Sequence, residues 1–279
     1  MTMTTTIAIQ GDKASFHDIA ATEYFGDSSR IFAKTFEETV SAVKTGDADY
    51  ALCAIENSLY GSINEVYDLI KKNKLYITGE VYLRIEQCLI GLPGTKINQI
   101  TAVHSHPVAL AQCGTYLDTT LPDAERSEYH DTAGSVEMIK DLGDPTQAAI
   151  AGAGAAELYG MEILAQSIET NKENYTRFVV LSRDSPSARA HNNKTSIVIR
   201  TDHTPGSLYR ALGVFANRSI NLSKIQSRPI VGAAWNYMMY LDLEVGSHED
   251  SFIEATKELG EQEVEIILLG SYLQRPTRA

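Results

Sequence analysis

The sequence predicts an α/β protein in two parts: a large first part built on a mostly parallel sheet, followed by a smaller βαββαβ unit. Three observations carry this expectation. Short apolar runs such as Ile7-Ala8-Ile9 and Tyr50 to Ile55 alternate with stretches of helical period. A polar, Pro-containing break without apolar period, RDSPSARAHNNK over 183–194, interrupts the pattern. After it come six elements in a fixed order.

In chain order, Ile7 to Gly11 reads as a short buried strand that ends in a glycine turn. A helix over Ser15 to Phe25 follows, with Phe16, Ile19, Ala20 and Tyr24 near one face, then a second over Thr35 to Lys44. Tyr50 to Ile55 is a strand that ends at Glu56-Asn57-Ser58. Further strands are expected at Lys74 to Glu80, Tyr82 to Leu92, Gln99 to His104 and Ala148 to Ala151. This alternation implies βαβ units. Beyond the break, Thr195 to Thr201 is a strand, and Pro205-Gly206 starts a helix carrying Leu208, Leu212 and Phe215. Asn221 to Pro229 and Trp235 to Val245 are strands, His248 to Leu259 a helix, and Val264 to Leu269 a last strand. The order is that of a ferredoxin-like unit. The tail from Gln274 is expected to fray.

Composition excludes several classes. The chain has 279 residues, 43% hydrophobic and 22% charged, which is a globular protein with a real core. A net charge of -12 argues against nucleic-acid binding through basic patches. It leaves room for an anionic small substrate, because a pocket's local field can oppose the global charge. Three widely spaced cysteines, Cys53, Cys88 and Cys113, form no CxxC pair, so neither a disulfide framework nor a zinc site is expected. They suit a reducing, cytoplasmic setting. The N-terminal residues carry no signal-peptide pattern, and no run is long and apolar enough to span a membrane.

Polar clusters at strand ends are the places to look for chemistry, since open α/β sheets bind ligands there. Glu56-Asn57-Ser58 follows one strand, and Ser58 is placed to cap the next helix. His104-Ser105-His106-Pro107 follows another, with Pro107 opening a helix through Gln112-Cys113. No carboxylate or cysteine completes a metal set around the two histidines, so no metal is expected. Asp131-Thr132-Ala133-Gly134-Ser135 puts small residues at a helix start, where backbone can approach a ligand closely. Neither GxxxxGK[ST] nor a correctly placed GxGxxG is present, so no nucleotide cofactor is expected. Finally, Asn174-Tyr175-Thr176-Arg177-Phe178 sets a hydroxyl beside a fixed cation at the mouth of an apolar run. An uncharged donor next to a cation suits an anionic substrate that must lose a hydroxyl group. The competing reading is that Thr and Arg merely open a strand.

Together these segments resemble the prephenate dehydratase family over nearly the whole chain. The resemblance is carried by Ile7 to Gly11, Ile55 to Ser58, Ser105-His106-Pro107 with Gln112-Cys113, Asp131-Thr132-Ala133, Ala156 to Gly160 and Asn174 to Phe178, of which the Thr-Arg-Phe order is the most specific. Thr204 to Leu208 and Ile225 to Pro229 resemble the two ligand loops of the family's ACT regulatory domain. Three positions depart from the pattern: Gln226 stands for the usual Glu, Phe16-His17 for Tyr-Ser, and Val108 for Gln.

The resemblance implies a two-lobed catalytic domain like type II periplasmic binding proteins over 1–183, a linker over 184–193, and an ACT domain over 194–279. It implies decarboxylating dehydration of prephenate to phenylpyruvate without a cofactor, by a homodimer or homotetramer inhibited by phenylalanine. Thr176 is the implied catalytic donor. Asn57, Ser58, Ser105, Gln112, Thr132, Ala133, Arg177 and Phe178 are the implied substrate-binding residues, with Glu56 and His106 as supports. Pro205, Gly206, Ser207, Leu208, Asn221, Leu222, Gln226 and Ser227 are the implied phenylalanine site. With no helical mutase domain before residue 7, a monofunctional enzyme is expected. The alternatives are turnover of arogenate and a noncatalytic aromatic amino-acid sensor.

Overall fold

The computed structural model describes residues 5–184, 190–230, 232 and 236–275. The centre of the 184–193 linker, the start of the strand expected at Trp235 and the end of the tail lie outside these residues. The chain divides into two compact units, Met1–Ile63 with Val81–Phe178, and Asn64–Glu80 with Val179–Pro276.

The first unit holds two α/β lobes. The first lobe is a sheet in the order β2-β1-β3-β11-β5, built from β1 (Thr6–Gln10), β2 (Ser29–Ala33), β3 (Tyr50–Asn57), β5 (Tyr76–Arg84) and β11 (Tyr175–Ser182). The short β4 (Gly61–Ser62) folds back on β3. Helices α1 (Phe16–Phe25) and α2 (Phe36–Thr45) connect the parallel strands β1, β2 and β3. Each helix is opened by a hydroxyl: Ser15 Oγ accepts from the Asp18 N–H, and Thr35 Oγ1 from the Glu38 N–H.

The second lobe is a sheet in the order β10-β6-β9-β7-β8, from β6 (Cys88–Gly91), β7 (Ala102–Ser105), β8 (Glu125–Glu128), β9 (Gln147–Ala151) and β10 (Glu162–Ala165). It carries α4 (Pro107–Gln112), α5 (Gly114–Thr120), α6 (Thr132–Leu142) and α7 (Ala153–Tyr159). The central strands β6 and β9 read as apolar runs because both of their faces are covered, whereas the edge strand β8 is polar. Leu89, Val103, Ala148 and Ile150 pack on one face, while Cys88, Ile90, Ala149 and Ala151 pack on the other.

The chain passes between the lobes twice, after β5 and before β11, as in type II periplasmic binding proteins. The first crossing corrects the expectation of a single strand from Tyr82 to Leu92. At residues 85–87 the backbone leaves its ladder: the Ile85 N–H donates to the Asn174 carbonyl, and the Gln87 N–H to the Glu169 carboxylate at 2.9 Å. No helix precedes β6, so nothing imposes the crossover that makes strands parallel. It runs antiparallel to β9 and β10, which makes this sheet mixed rather than mostly parallel.

The second unit carries β12 (Lys194–Arg200), α8 (Ser207–Ala216), β13 (Leu222–Pro229), β14 (Tyr237–Leu243), α9 (Asp250–Glu261) and β15 (Glu265–Tyr272). Its antiparallel sheet has the order β13-β14-β12-β15, a ferredoxin-like βαββαβ unit. Ile197, Ile199, Leu241 and Leu243 bury one face beneath Val214, Phe215 and Phe252 of the two helices. The helix expected after Ser58, α3 (Asn64–Asn73), starts beyond β4, belongs to this unit and buries Val66, Tyr67, Leu69 and Ile70. Tyr67 meets Tyr240 edge-on at 4.8 Å between centroids, and the Lys194 ammonium pairs with the Glu80 carboxylate at 2.9 Å, both side chains fully buried.

Candidate active site

A cavity of about 710 Å³ opens between the two lobes of the first unit, lined among others by Asn57, Gln87, Gln112, Thr132, Thr176 and Phe178. Four helices begin at its rim. His17, Phe36, Val108 and Thr132, from the first turns of α1, α2, α4 and α6, all line it. Each start turns a positive dipole end toward the cleft, although Ser15, Thr35, His106 and Asp131 each accept one or two of the first N–H groups, and the carboxylates of Asp12 and Asp131 also line the cavity. Lys34, next to the cap of α2, adds a cation to the wall.

The lobes meet closely at one edge of the cleft. Gly11 adopts the left-handed φ of +90°, and a Cβ there would stand 3.0 Å from Asp131 Oδ2. Asp131 caps α6, accepting from the Ala133 and Gly134 N–H groups. Burial pushes its pKa up, and the two N–H groups work against that shift.

Thr176 sits at the first turn of β11 with its side chain almost fully buried. Its Oγ1 accepts from Asn57 Nδ2 at 3.0 Å, and the same nitrogen donates to Asn174 Oδ1 at 2.8 Å. Asn57 Oδ1 takes the Leu59 and Tyr60 N–H groups, at 3.0 and 3.1 Å. The amide is thereby oriented from both ends. Asn57 fills an acceptor position on Thr176, so the threonine proton is not used on that amide nitrogen.

Alternation along β11 sorts its neighbours. Thr176 and Phe178 line the cavity, whereas Arg177 points to the other face, 4.0 Å from the Glu56 carboxylate and 6.0 Å from the centre of the Tyr82 ring. Ser58 does not cap a helix, as the sequence suggested, because β4 intervenes before α3. Its Oγ donates to the Glu173 carbonyl at 2.8 Å and accepts from the Tyr175 N–H at 3.0 Å, tying the end of β3 to the start of β11. Ser105 is fully buried and donates to the Ile150 carbonyl at 2.6 Å, and Ala133 is buried beneath the α6 cap. Gln112 closes α4 in the cavity wall, where its Oε1 accepts from Gln87 Nε2 at 3.2 Å. His106 caps α4, its Nδ1 accepting from the Val108 N–H, and burial lowers its pKa.

Thus Asn57, Gln112, Thr132, Thr176 and Phe178 converge on one cavity, while Ser58, Ser105, Ala133 and Arg177 hold its walls. The sequence reading missed Gln87 and Lys34, which belong to no motif, and passed over His17 as a departure from the family pattern. In the second unit, Pro205 and Gly206 precede α8, Gly206 with a left-handed φ of +84°, and no side chain caps that helix. The ladder shifts register between Leu222 and Lys224, so Leu222 and Ser227, paired with Leu243 and Met239, share one face of β13, and Gln226, paired with Tyr240, lies on the other, while Asn221 Nδ2 donates to Glu244 Oε2 at 2.8 Å.

Comparison with known proteins agrees with this architecture. The family model described as prephenate dehydratase matches residues 7–186. Arogenate dehydratase 5, chloroplastic, of Arabidopsis thaliana is 38% identical over 95% of this chain and 67% of its own, so the chain spans about two thirds of that relative's length. The structure of prephenate dehydratase from Arthrobacter aurescens in complex with L-Phe is 29% identical, covers 98% of this chain and 91% of its own, and superposes with a TM-score of 0.87. A structure described as GqqA, a novel type of quorum quenching acylase, is 32% identical over 98% of this chain and all of its own, with a TM-score of 0.89. No helix among the described residues is long and apolar enough to cross a membrane. From the match over residues 7–186 and the identity to curated dehydratases, the chain belongs to the prephenate dehydratase family, lyases of aromatic amino-acid biosynthesis that act on prephenate or arogenate.

Proposed function

We propose that this protein converts prephenate to phenylpyruvate, carbon dioxide and water, and that phenylalanine inhibits it through the βαββαβ unit acting as an ACT domain. In this reading residues 1–183 are the catalytic domain and 194–279 the regulatory domain. The reaction needs little covalent help. The electrons of the C1–carboxylate bond enter the ring as carbon dioxide leaves, the C4–oxygen bond breaks, and the ring becomes aromatic. What the protein supplies is a donor for the departing hydroxyl, sites for two carboxylates, and a closed, preorganised cleft.

The observation that carries this reading is the Asn57–Thr176 hydrogen bond of 3.0 Å, which leaves the threonine proton free. Thr176 Oγ1 hydrogen-bonds the C4 hydroxyl and passes its proton to the departing oxygen, which leaves as water, and the threonine takes a proton back from solvent. The helix starts at residues 16, 36, 108 and 132, with Lys34 and Gln112, offer N–H groups and positive charge to the carboxylates. Phe178 walls the ring. Thr132 lies in the lining, while Ser58, Ser105, Ala133 and Arg177 position the strands that bear these groups. Three buried free thiols suit a cytoplasmic enzyme.

The acylase likeness offers a second reading, hydrolysis in the same cleft. A nucleophilic threonine needs a base to draw off its proton. Here the partner of Thr176 is the donor Nδ2 of Asn57, which favours dehydration. The test is phenylpyruvate release from prephenate. Thr176→Ala is expected to lower turnover by about 10²–10⁴-fold, with the thermal midpoint nearly unchanged. Asn57→Asp turns the partner into an acceptor, draws the hydroxyl proton away from the cleft and should lower turnover in the same direction. Full activity in Thr176→Ala refutes the assignment.

A further inference from the structure

His17 is a group in the cleft whose hydrogen-bonding sense the backbone dictates. It lies in the first turn of α1, and its Nε2 is 3.2 Å from the backbone nitrogen of Ala54 in β3. A backbone N–H can only donate, so Nε2 must carry the lone pair and the ring proton must sit on Nδ1. The ring also resists a second proton, because burial lowers its pKa to about 4. It stands edge-on to Phe178, with centroids 5.0 Å apart, and 5.7 Å from Phe36. All three side chains line the cavity. The wall at this point therefore offers one N–H donor set among apolar rings and no acceptor.

The position of this donor along the cleft matters. Thr176 and Phe178 share a face of β11 two residues apart, which is about 6.6 Å along a strand. His17 packs on Phe178. A substrate with its ring hydroxyl on Thr176 extends its far end, where the three-carbon side chain is attached, toward Phe178 and the imidazole.

We propose that His17 determines substrate specificity: its Nδ1–H donates to the keto oxygen of the prephenate side chain and disfavours arogenate, which carries an ammonium group at that carbon. The keto oxygen accepts, whereas the ammonium has only protons to offer and faces another donor. A buried group left without its partner discriminates more strongly than a mismatch of size. The proposal rests on the dehydratase reading of the cleft.

The experiment compares kcat/KM for prephenate and for arogenate in the unmodified protein, His17→Phe and His17→Asn, with a thermal midpoint for each. The unmodified protein should prefer prephenate. His17→Phe should lose on the order of 10- to 100-fold on prephenate and little or nothing on arogenate. His17→Asn carries an amide N–H on the side-chain branch that Nδ1 occupies, and should keep a preference for prephenate even if the Phe variant does not fold. An equal fall on both substrates, an undiminished prephenate rate in His17→Phe, loss of the preference in His17→Asn, or an unmodified protein that prefers arogenate overturns the proposal. An unmodified protein that turns over neither compound refutes the dehydratase reading itself, and this proposal falls with it.

Discussion

A neutral histidine locked between a backbone donor and two phenylalanines leaves a signature in stability as well as in specificity. Burial lowers the His17 pKa from 6.5 to about 4. Unfolding exposes the ring and returns it to its ordinary value. Between those two values the unfolded chain therefore binds a proton that the folded chain does not. Stability from this residue is fully present above about pH 6.5 and is lost as the pH falls toward 4, by up to about 3 kcal/mol. Denaturant midpoints measured from pH 7 to 4 should fall more steeply for the unmodified protein than for His17→Phe. Equal slopes show that the ring takes its proton without penalty. Neighbouring residues show what a sequence reveals at this scale. Thr176 and Asn57 were legible because each stands in a specific motif. Arg177 was expected among the substrate-binding residues, and alternation along β11 instead turns it toward Glu56 and Tyr82. Gln87 was not legible, because its place in the cleft depends on Gln112 and Glu169, which are distant in the chain and meet only in the folded lobes.

At the scale of elements, the sequence was most readable where local signals were strongest. The capped helices α1 and α2, the buried strands β1 and β3, and the order of elements from β12 to β15 all follow from periodicity and turn chemistry. Edge and short elements were harder. The edge strand β2 is only partly buried and shows no clear apolar run. Helix α3 has ten residues, and its charged side chains dilute the single stripe formed by Val66, Leu69 and Ile70. The join between β5 and β6 was misplaced because Tyr82 to Ile90 contains neither Gly nor Pro, and tertiary bonds to Asn174 and Glu169 mark the break. The Lys194–Glu80 pair was equally out of reach, since its members come from segments 114 residues apart. It now yields a prediction. Both side chains are fully buried within the second unit, so Glu80→Ala takes a carboxylate away from a buried ammonium. That change should cost about 3–5 kcal/mol, while the double replacement Glu80→Gln with Lys194→Met should lie close to neutral. Denaturant titrations of the three proteins decide the matter. A single replacement that unfolds at the same midpoint as the unmodified chain shows that water or another group solvates the lysine.

For the whole molecule, the proposed regulation by the βαββαβ unit needs a ligand that distinguishes two states. A ligand can shift an equilibrium only by its difference in affinity for the two states, typically about 1–3 kcal/mol. The proposed phenylalanine site must therefore bind tightly in one quaternary arrangement and poorly in the other. The start of α8 is suited to this task. No side chain caps the helix, so its first N–H groups are available to a carboxylate. Leu208 and Leu222 are half-buried hydrophobic side chains packed against the core of the unit, placed to receive an aromatic ring. The approach to those N–H groups is set by Gly206, whose φ of +84° disfavours any residue with a Cβ, and a Cβ there would stand 3.1 Å from Arg210 Nη1. Gly206→Val forces a β-branched residue into that conformation and turns the loop away from the helix end. Phenylalanine binding measured by calorimetry should weaken at least about tenfold, the equivalent of ~1.4 kcal/mol. The concentration giving half inhibition of phenylpyruvate release should rise in parallel, because binding and inhibition are two readings of one coupling. Gln226 stands where the resemblance has Glu, and it pairs with Tyr240 on the face of β13 opposite Leu222. It replaces a charge with a neutral amide, so Gln226→Glu should tighten binding of the ligand's ammonium while Gly206→Val loosens its carboxylate. If calorimetry detects no phenylalanine binding to the unmodified protein, or if Gly206→Val is inhibited at the same concentration, the regulatory role assigned to this helix start is wrong.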